Sequence, residues 1–118
     1  MASVLIVDDS KIMRSLIRVL LTKMGHEVVG EAATGLEGYD KYFALKPDLV
    51  TMDITMPVMN GIETLKKIKQ GDENAKVILV TANLQGAKLN DAINAGANGY
   101  LFKPLQETEF KNLLEQIL

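Results

Sequence analysis

There is no cysteine in the 118 residues. Disulfides, thiolate metal sites and cysteine nucleophiles are all excluded. Tryptophan is absent, and aromatic residues make up only 5%. The core must therefore rest on Val, Ile, Leu, Ala and the six Met. A single histidine, His26, leaves little scope for imidazole acid–base chemistry, and its place after Gly25 reads as a turn. No apolar stretch approaches the roughly 18 residues of a membrane span. Neither sign of charge dominates: 13 basic and 15 acidic residues give a net charge of -2. That balance gives no general pull towards nucleic acid or an anionic membrane. The start "MASVLIVDD" has no basic segment and no small-residue cleavage site, so no signal peptide is expected. A cytoplasmic protein is the plain expectation.

Hydrophobic residues amount to 47%. A chain of this size buries roughly two-thirds of its unfolded surface, enough for a core without staples. One domain, 1–118, with no effector domain, is expected. Short β-rich runs alternate with longer helical patterns. The strand candidates are "SVLIVD" (3–8), "EVVGEAA" (27–33), "LVTMD" (49–53), "KVILVT" (76–81) and "GYLFK" (99–103). Three are apolar nearly throughout, as in strands buried on both faces of a parallel sheet. "EVVGEAA" is more polar and fits an edge.

Helices fall between the strands. Residues 11–24 place Ile12, Met13, Leu16, Ile17, Leu20, Leu21 and Met24 at helical spacing, with Arg14, Arg18 and Lys23 facing out and Gly25 as a stop. "TGLE" (34–37) is a capping-box pattern, and Pro47 closes the helix it opens. "NGIE" (60–63) opens the third helix with Asn60 as cap. "QGAKLNDAINAG" (85–96) is a poor helix former. The last helix starts near Glu107. Five β–α units predict an α/β fold with an open, doubly wound, five-stranded parallel sheet.

In such a sheet ligands gather beyond the carboxyl ends of the strands. Asp8 and Asp9 end the first strand, Asp53 the third, Thr81 the fourth and Lys103 the fifth. Three carboxylates at one rim repel unless something positive sits among them. A hard divalent cation held by oxygen ligands meets that need, and Mg²⁺ is the common choice. Lys103 supplies a fixed positive charge. The set suits phosphoryl transfer to a carboxylate, with Asp53 as nucleophile. The remaining acids, Asp40, Asp48, Asp72 and Asp91, read as solvated. Met56 and Met59, on the loop after Asp53, are candidates for exposure.

"VDDS", "MDITMPVMNG", "VTA" and "FKP", in this order and spacing, resemble the receiver domain of two-component response regulators. The likeness covers essentially the whole chain. It is similar to the stand-alone chemotaxis regulators of the CheY type, particularly through "KPDLVTMDITMPVMNGIETLKKI". The resemblance implies a flavodoxin-like (β/α)5 fold with strand order 2-1-3-4-5. It implies Asp53 as phosphoacceptor and Asp9, Asp53 and the backbone carbonyl of Thr55 as direct Mg²⁺ ligands, with Asp8 acting mainly through metal-bound water. Lys103 would pair with the phosphoryl group. Thr81 would be the switch hydroxyl and Tyr100 the switch aromatic, and the Lys103–Pro104 bond would be cis. Thr55 and Asn83 would flank the path of the hydrolytic water. Ser10 stands where enteric chemotaxis regulators have a bulky aromatic.

The function expected from this is a monomeric signalling switch. It takes a phosphoryl group from a sensor histidine kinase and, having no effector domain, signals by binding a protein. That target would be a flagellar motor switch or a phosphorelay histidine, with a phosphatase as a further partner. Neither nucleic acid nor membrane insertion is expected. Self-catalysed phosphotransfer and autodephosphorylation would be its only reactions, without turnover of small molecules. Two other readings compete. One is an intermediate receiver of a phosphorelay. The other is a Mg²⁺-dependent phosphatase working through an aspartyl phosphate, as haloacid-dehalogenase-type enzymes do. Those enzymes place two acids one residue apart on one strand and use a cap insertion, and neither feature is seen here.

Overall fold

The computed structural model describes residues 1–82 and 86–118, and for residues 86–89 the backbone alone. Five strands alternate with five helices: β1 (Ser3–Val7), α1 (Lys11–Lys23), β2 (Glu27–Ala32), α2 (Gly35–Leu45), β3 (Leu49–Asp53), α3 (Gly61–Gly71), β4 (Val77–Thr81), α4 (Gly86–Asn94), β5 (Gly99–Phe102) and α5 (Glu107–Ile117). The sheet is parallel throughout, in the expected order β2-β1-β3-β4-β5. β2 lies at an edge, as its polarity predicts. The expected strand ends shift inward by one residue at Asp8 and Lys103, which lie just past β1 and β5.

Period-two alternation along each strand feeds two cores, one per face of the sheet. Leu5, Val7, Val50, Met52, Val77 and Leu79 meet Tyr42 of α2, Ile62, Leu65 and Ile68 of α3, and Ala92 of α4. Val4, Ile6, Leu49, Ile78, Val80 and Leu101 meet Ile17 and Leu21 of α1 and Phe110 and Leu114 of α5. Both faces being covered explains why β1, β3 and β4 are apolar nearly throughout.

Local signals act as read. Ser10 Oγ accepts from the Met13 N–H at the start of α1, and Gly25, at φ 89, follows its end. Thr34 Oγ1 accepts from the Glu37 N–H, while Glu37 Oε1 reaches back to the Ala33 N–H. Asn60 Oδ1 accepts from the Glu63 N–H. The Ser10, Thr34 and Asn60 bonds satisfy helix N-terminal donors that have no partner within the helix, and the Glu37 bond holds the chain just ahead of the α2 cap. The Lys103–Pro104 bond is cis.

Four expectations need correction. Ile12 and Leu16, at helical spacing with the core residues of α1, are exposed, along with Val19. The apolar stripe is wider than the sheet can cover. Arg14 does not face solvent: its side chain is 16% exposed, because Glu31 of β2 draws it across the sheet edge. Met56 is buried against the α2–α3 core rather than exposed. Asp48 and Asp72 are engaged rather than simply solvated. The carboxylate of Asp48 accepts from the Ser3 N–H at 2.9 Å, and that of Asp72 from the Tyr42 hydroxyl at 2.8 Å.

The centre of the sheet carries one imperfection. Thr51, midway along β3 between Ile6 and Ile78, is buried, and its hydroxyl has no partner among the described residues. A buried hydroxyl without a hydrogen bond costs about 1–3 kcal/mol. Thr51→Val keeps the shape and removes the polar group. It should raise unfolding stability in urea by about 1 kcal/mol. An unchanged or lower stability would mean that the hydroxyl is satisfied in the folded protein.

Candidate functional site

Strand order reverses between β2-β1 on one side and β3-β4-β5 on the other. The residues leaving β1 and β3 therefore emerge side by side at the carboxyl rim. Asp8, Asp9 and Asp53 come together there, with carboxylate oxygens within 4.8 Å of one another. Asp8 and Asp53 are buried and Asp9 is exposed.

Every polar group of Asp8 is held. Its N–H donates to the Ala32 carbonyl at 3.0 Å, and its carbonyl accepts from Arg14 Nη1 at 2.7 Å. Its Oδ1 accepts from the Ser10 N–H at 2.9 Å, and its Oδ2 from Lys103 Nζ at 3.2 Å. Asp53 is held more lightly. Its Oδ1 accepts from the Thr55 N–H at 3.2 Å and lies 3.6 Å from Lys103 Nζ. Lys103 follows β5, and its N–H donates to the Thr81 carbonyl at 2.7 Å, which ties it to the end of β4. Gly61 lets α3 begin against this loop. A Cβ there would overlap the Asp53 carbonyl oxygen, and the Gly61 N–H donates to the Ile54 carbonyl at 2.9 Å.

The electrostatics follow from this crowding. Burial pushes the Asp53 carboxyl up, and the charge of Asp8 adds to that. Lys103 and the Thr55 N–H oppose it, and the result is about 6 against an ordinary 3.8. One lysine does not neutralise three carboxylates. The donor set is all oxygen and net negative, which fits a small hard divalent cation. Asp9 and Asp53, whose carboxyl groups face each other, offer carboxylate oxygens for it. Asp8, with both oxygens already accepting hydrogen bonds, suits a role through water.

Asp8, Asp9, Asp53 and Lys103 thus converge as expected. Thr55 reaches the cluster through its backbone, with its side chain exposed. Thr81 is buried at the end of β4. Tyr100 is set apart: it pairs with Leu79 in the β5 ladder, is 40% exposed, and stacks edge-on to Phe102 at 5.8 Å. Asn83 lies outside the described residues.

Sequence reasoning missed the support behind Asp8. Arg14 Nε donates to Glu31 Oε1 at 3.0 Å, and Arg18 holds the other oxygen, with Nη2 at 2.6 Å. Burial raises the Glu31 carboxyl, but the hydrogen bonds from Arg18 and Arg14 outweigh it and hold it below its usual range. The available signal was two arginines four apart on α1 opposite an acid on a polar edge strand.

Residues 4–115 match the family model of the response regulator receiver domain. The chain is 48% identical to the chemotaxis protein CheY of Thermotoga maritima, over 97% of this chain and 95% of that protein. It is 50% identical to the CheY of Bacillus subtilis, over 87% and 86%. Its backbone is similar to that in the crystal structure of the CheX–CheY–BeF3–Mg²⁺ complex from Borrelia burgdorferi. The TM-score is 0.94 at 34% identity, covering 98% of this chain and 87% of that one.

The raised Asp53 carboxyl links the site to stability. The native state favours its protonated form. The stabilisation is fully present below about pH 3.8 and is lost as pH rises through about 6. In metal-free buffer Asp53→Asn should therefore be more stable than wild type at pH 7, by up to about 3 kcal/mol. The difference should shrink as pH falls towards 4. Urea unfolding of both proteins across that range checks this, and a difference that does not vary with pH contradicts it.

Proposed function

The chain belongs to the response regulator receiver domain family, and from that premise we propose that it is a chemotaxis signalling switch activated by phosphorylation of Asp53. The observation that carries the reading is the gathering of Asp8, Asp9 and Asp53 within 4.8 Å, with Lys103 Nζ 3.6 Å from the nucleophile. The phosphodonor is the phosphohistidine of a sensor kinase. The Asp53 carboxylate attacks phosphorus. The P–N bond breaks, its electron pair returns to the imidazole, and an aspartyl phosphate remains. Asp9, Asp53 and the Thr55 backbone carbonyl would hold Mg²⁺ directly and Asp8 through water; the bound cation neutralises charge on the transferring oxygens. Lys103 balances the developing negative charge from the other side. Burial keeps bulk water from Asp53 and strengthens these interactions.

Readout then runs across one strand spacing. The Thr81 hydroxyl donates to the phosphoryl group, and Tyr100 of β5, 40% exposed, moves inward into the space that Thr81 vacates. The face of α4, β5 and α5 is thereby offered to a target. The Thermotoga maritima and Bacillus subtilis CheY relatives are chemotaxis proteins. One relative is bound to CheX together with Mg²⁺ and beryllofluoride, a phosphoryl mimic. Both facts favour a chemotaxis target, such as a flagellar motor switch, and a protein that acts on the phosphorylated form. Residues 1–118 act as one receiver domain of a cytoplasmic, monomeric protein, and Thr55 and Asn83 tune the lifetime of the phosphate. Among the described residues no helix is long and apolar enough to cross a membrane.

Two measurements test the reading. A small phosphodonor with Mg²⁺ should add one phosphoryl group to wild type and none to Asp53→Asn. Labelling of the variant at the wild-type rate would place the acceptor elsewhere. Thr81→Ala should still accept phosphate. It should lose most of the gain in target affinity that beryllofluoride gives wild type, a gain expected at about tenfold or more. Retention of the full gain would remove Thr81 from the readout.

A further inference from the structure

We propose that Arg14 is a positioning residue for the phosphorylation site: gripped by Glu31, its guanidinium fixes the Asp8–Asp9 peptide and so sets where Asp9 presents its carboxylate. This rests on the reading of Asp8, Asp9 and Asp53 as the cation-binding acids.

The geometry is specific. Arg14 is the residue of α1 whose side chain turns back over the helix N-terminus to the β1–α1 loop. Nη1 meets the Asp8 carbonyl at 2.7 Å, and Nε meets Glu31 Oε1 at 3.0 Å. Glu31 sits opposite Ile6 in the β1–β2 ladder, so its carboxylate is anchored to the strand that delivers Asp8. Arg18 takes the second carboxylate oxygen and leaves Glu31 little freedom. The Arg14 side chain is 16% exposed against 46% for Arg18, so the two arginines are not equivalent.

The carbonyl that Arg14 holds belongs to the peptide that joins Asp8 to Asp9. Rotation of that peptide barely moves the Asp8 carboxylate, which the Ser10 N–H and Lys103 already fix. It does swing Asp9, which is exposed. Arg14 therefore restrains the one acid of the cluster that burial does not. The planar, forked guanidinium serves both contacts at once; a lysine ammonium is a point donor on a flexible stem and does so poorly. Partners behind the liganding groups typically change cation affinity by 10–100-fold when removed.

Charge and positioning predict opposite signs. Arg14 is a cation near a cation site. If its charge were what mattered, removing it would tighten Mg²⁺ binding. If it positions Asp9, removing it loosens binding despite the lost repulsion.

The test uses the full chain. Mg²⁺ affinity is measured by calorimetry for wild type, Arg14→Met, Arg14→Lys and Arg18→Ala, with thermal unfolding recorded in parallel. Arg14→Met should weaken Mg²⁺ binding about tenfold. Arg14→Lys should recover part of the loss, and Arg18→Ala should stay within about twofold of wild type. In heteronuclear NMR spectra the Asp9 amide should shift and broaden in Arg14→Met, with the Thr55 amide little changed. Wild-type affinity in a folded Arg14→Met, tighter binding, or an equal loss in Arg18→Ala would overturn the proposal. If Arg14→Met does not fold, Arg14→Lys carries the test alone, and full wild-type affinity there overturns it. Failure of wild type itself to bind Mg²⁺ or accept phosphate would instead overturn the reading of the site on which this rests.

Discussion

Repulsion among three carboxylates at the mouth of the sheet is the constraint around which the molecule is arranged. Asp8 and Asp53 are buried where water cannot screen them, and Asp9 stands beside them. Close-packed like charges destabilise a fold, so the surroundings must hold them there. The two cores on either face of the sheet do so, aided by the hydrogen bonds on every polar group of Asp8. The tension is also what makes the site useful. Carboxylates kept apart from bulk water and short of countercharge are suited to the proposed cation binding and nucleophilic role.

The fold distributes rigidity unevenly around that tension. Asp8 is locked to β2, α1 and β5 together. Asp53 is the terminal residue of a central strand, fixed in backbone yet with few contacts to its carboxylate. The nucleophile proposed here must be placed accurately and still be available, and a carboxylate that accepts one backbone N–H beside a nearby lysine suits both needs. Only one strand, β4, separates Asp53 at the end of β3 from Tyr100 on β5, so the proposed readout needs a local rearrangement and no domain hinge.

Much of this was legible in the residues. Apolar runs that do not alternate announced strands covered on both faces, and Thr34, Asn60 and Gly25 marked helix ends by their own hydrogen-bonding and backbone chemistry. The acids and Lys103 were visible because each stood at the end of such a run. What stayed hidden depends on tertiary geometry. Ile12 and Leu16 share the helical spacing of Ile17 and Leu21, and only the width of the sheet decides which are covered. Arg14 looks like any surface arginine until β2 brings Glu31 beside it. Met56 sits in a loop, and loops usually lie exposed. Here the loop folds its methionine back under α2 and α3.

The segment between Ile54 and Gly61 is clamped at both ends. The Ile54 N–H donates to the Val80 carbonyl at 3.4 Å, the Gly61 N–H donates to the Ile54 carbonyl, and a side chain at 61 would strike the backbone of Asp53. Ordinary surface loops absorb insertions and deletions at little cost. This one is a spacer of fixed length, because one residue more or fewer would lift α3 off the strand that carries Asp53. Variation among descendants of this sequence should therefore enter the segment as exchanges at exposed positions such as Thr55 and Val58. Its residue count should be among the last things to drift.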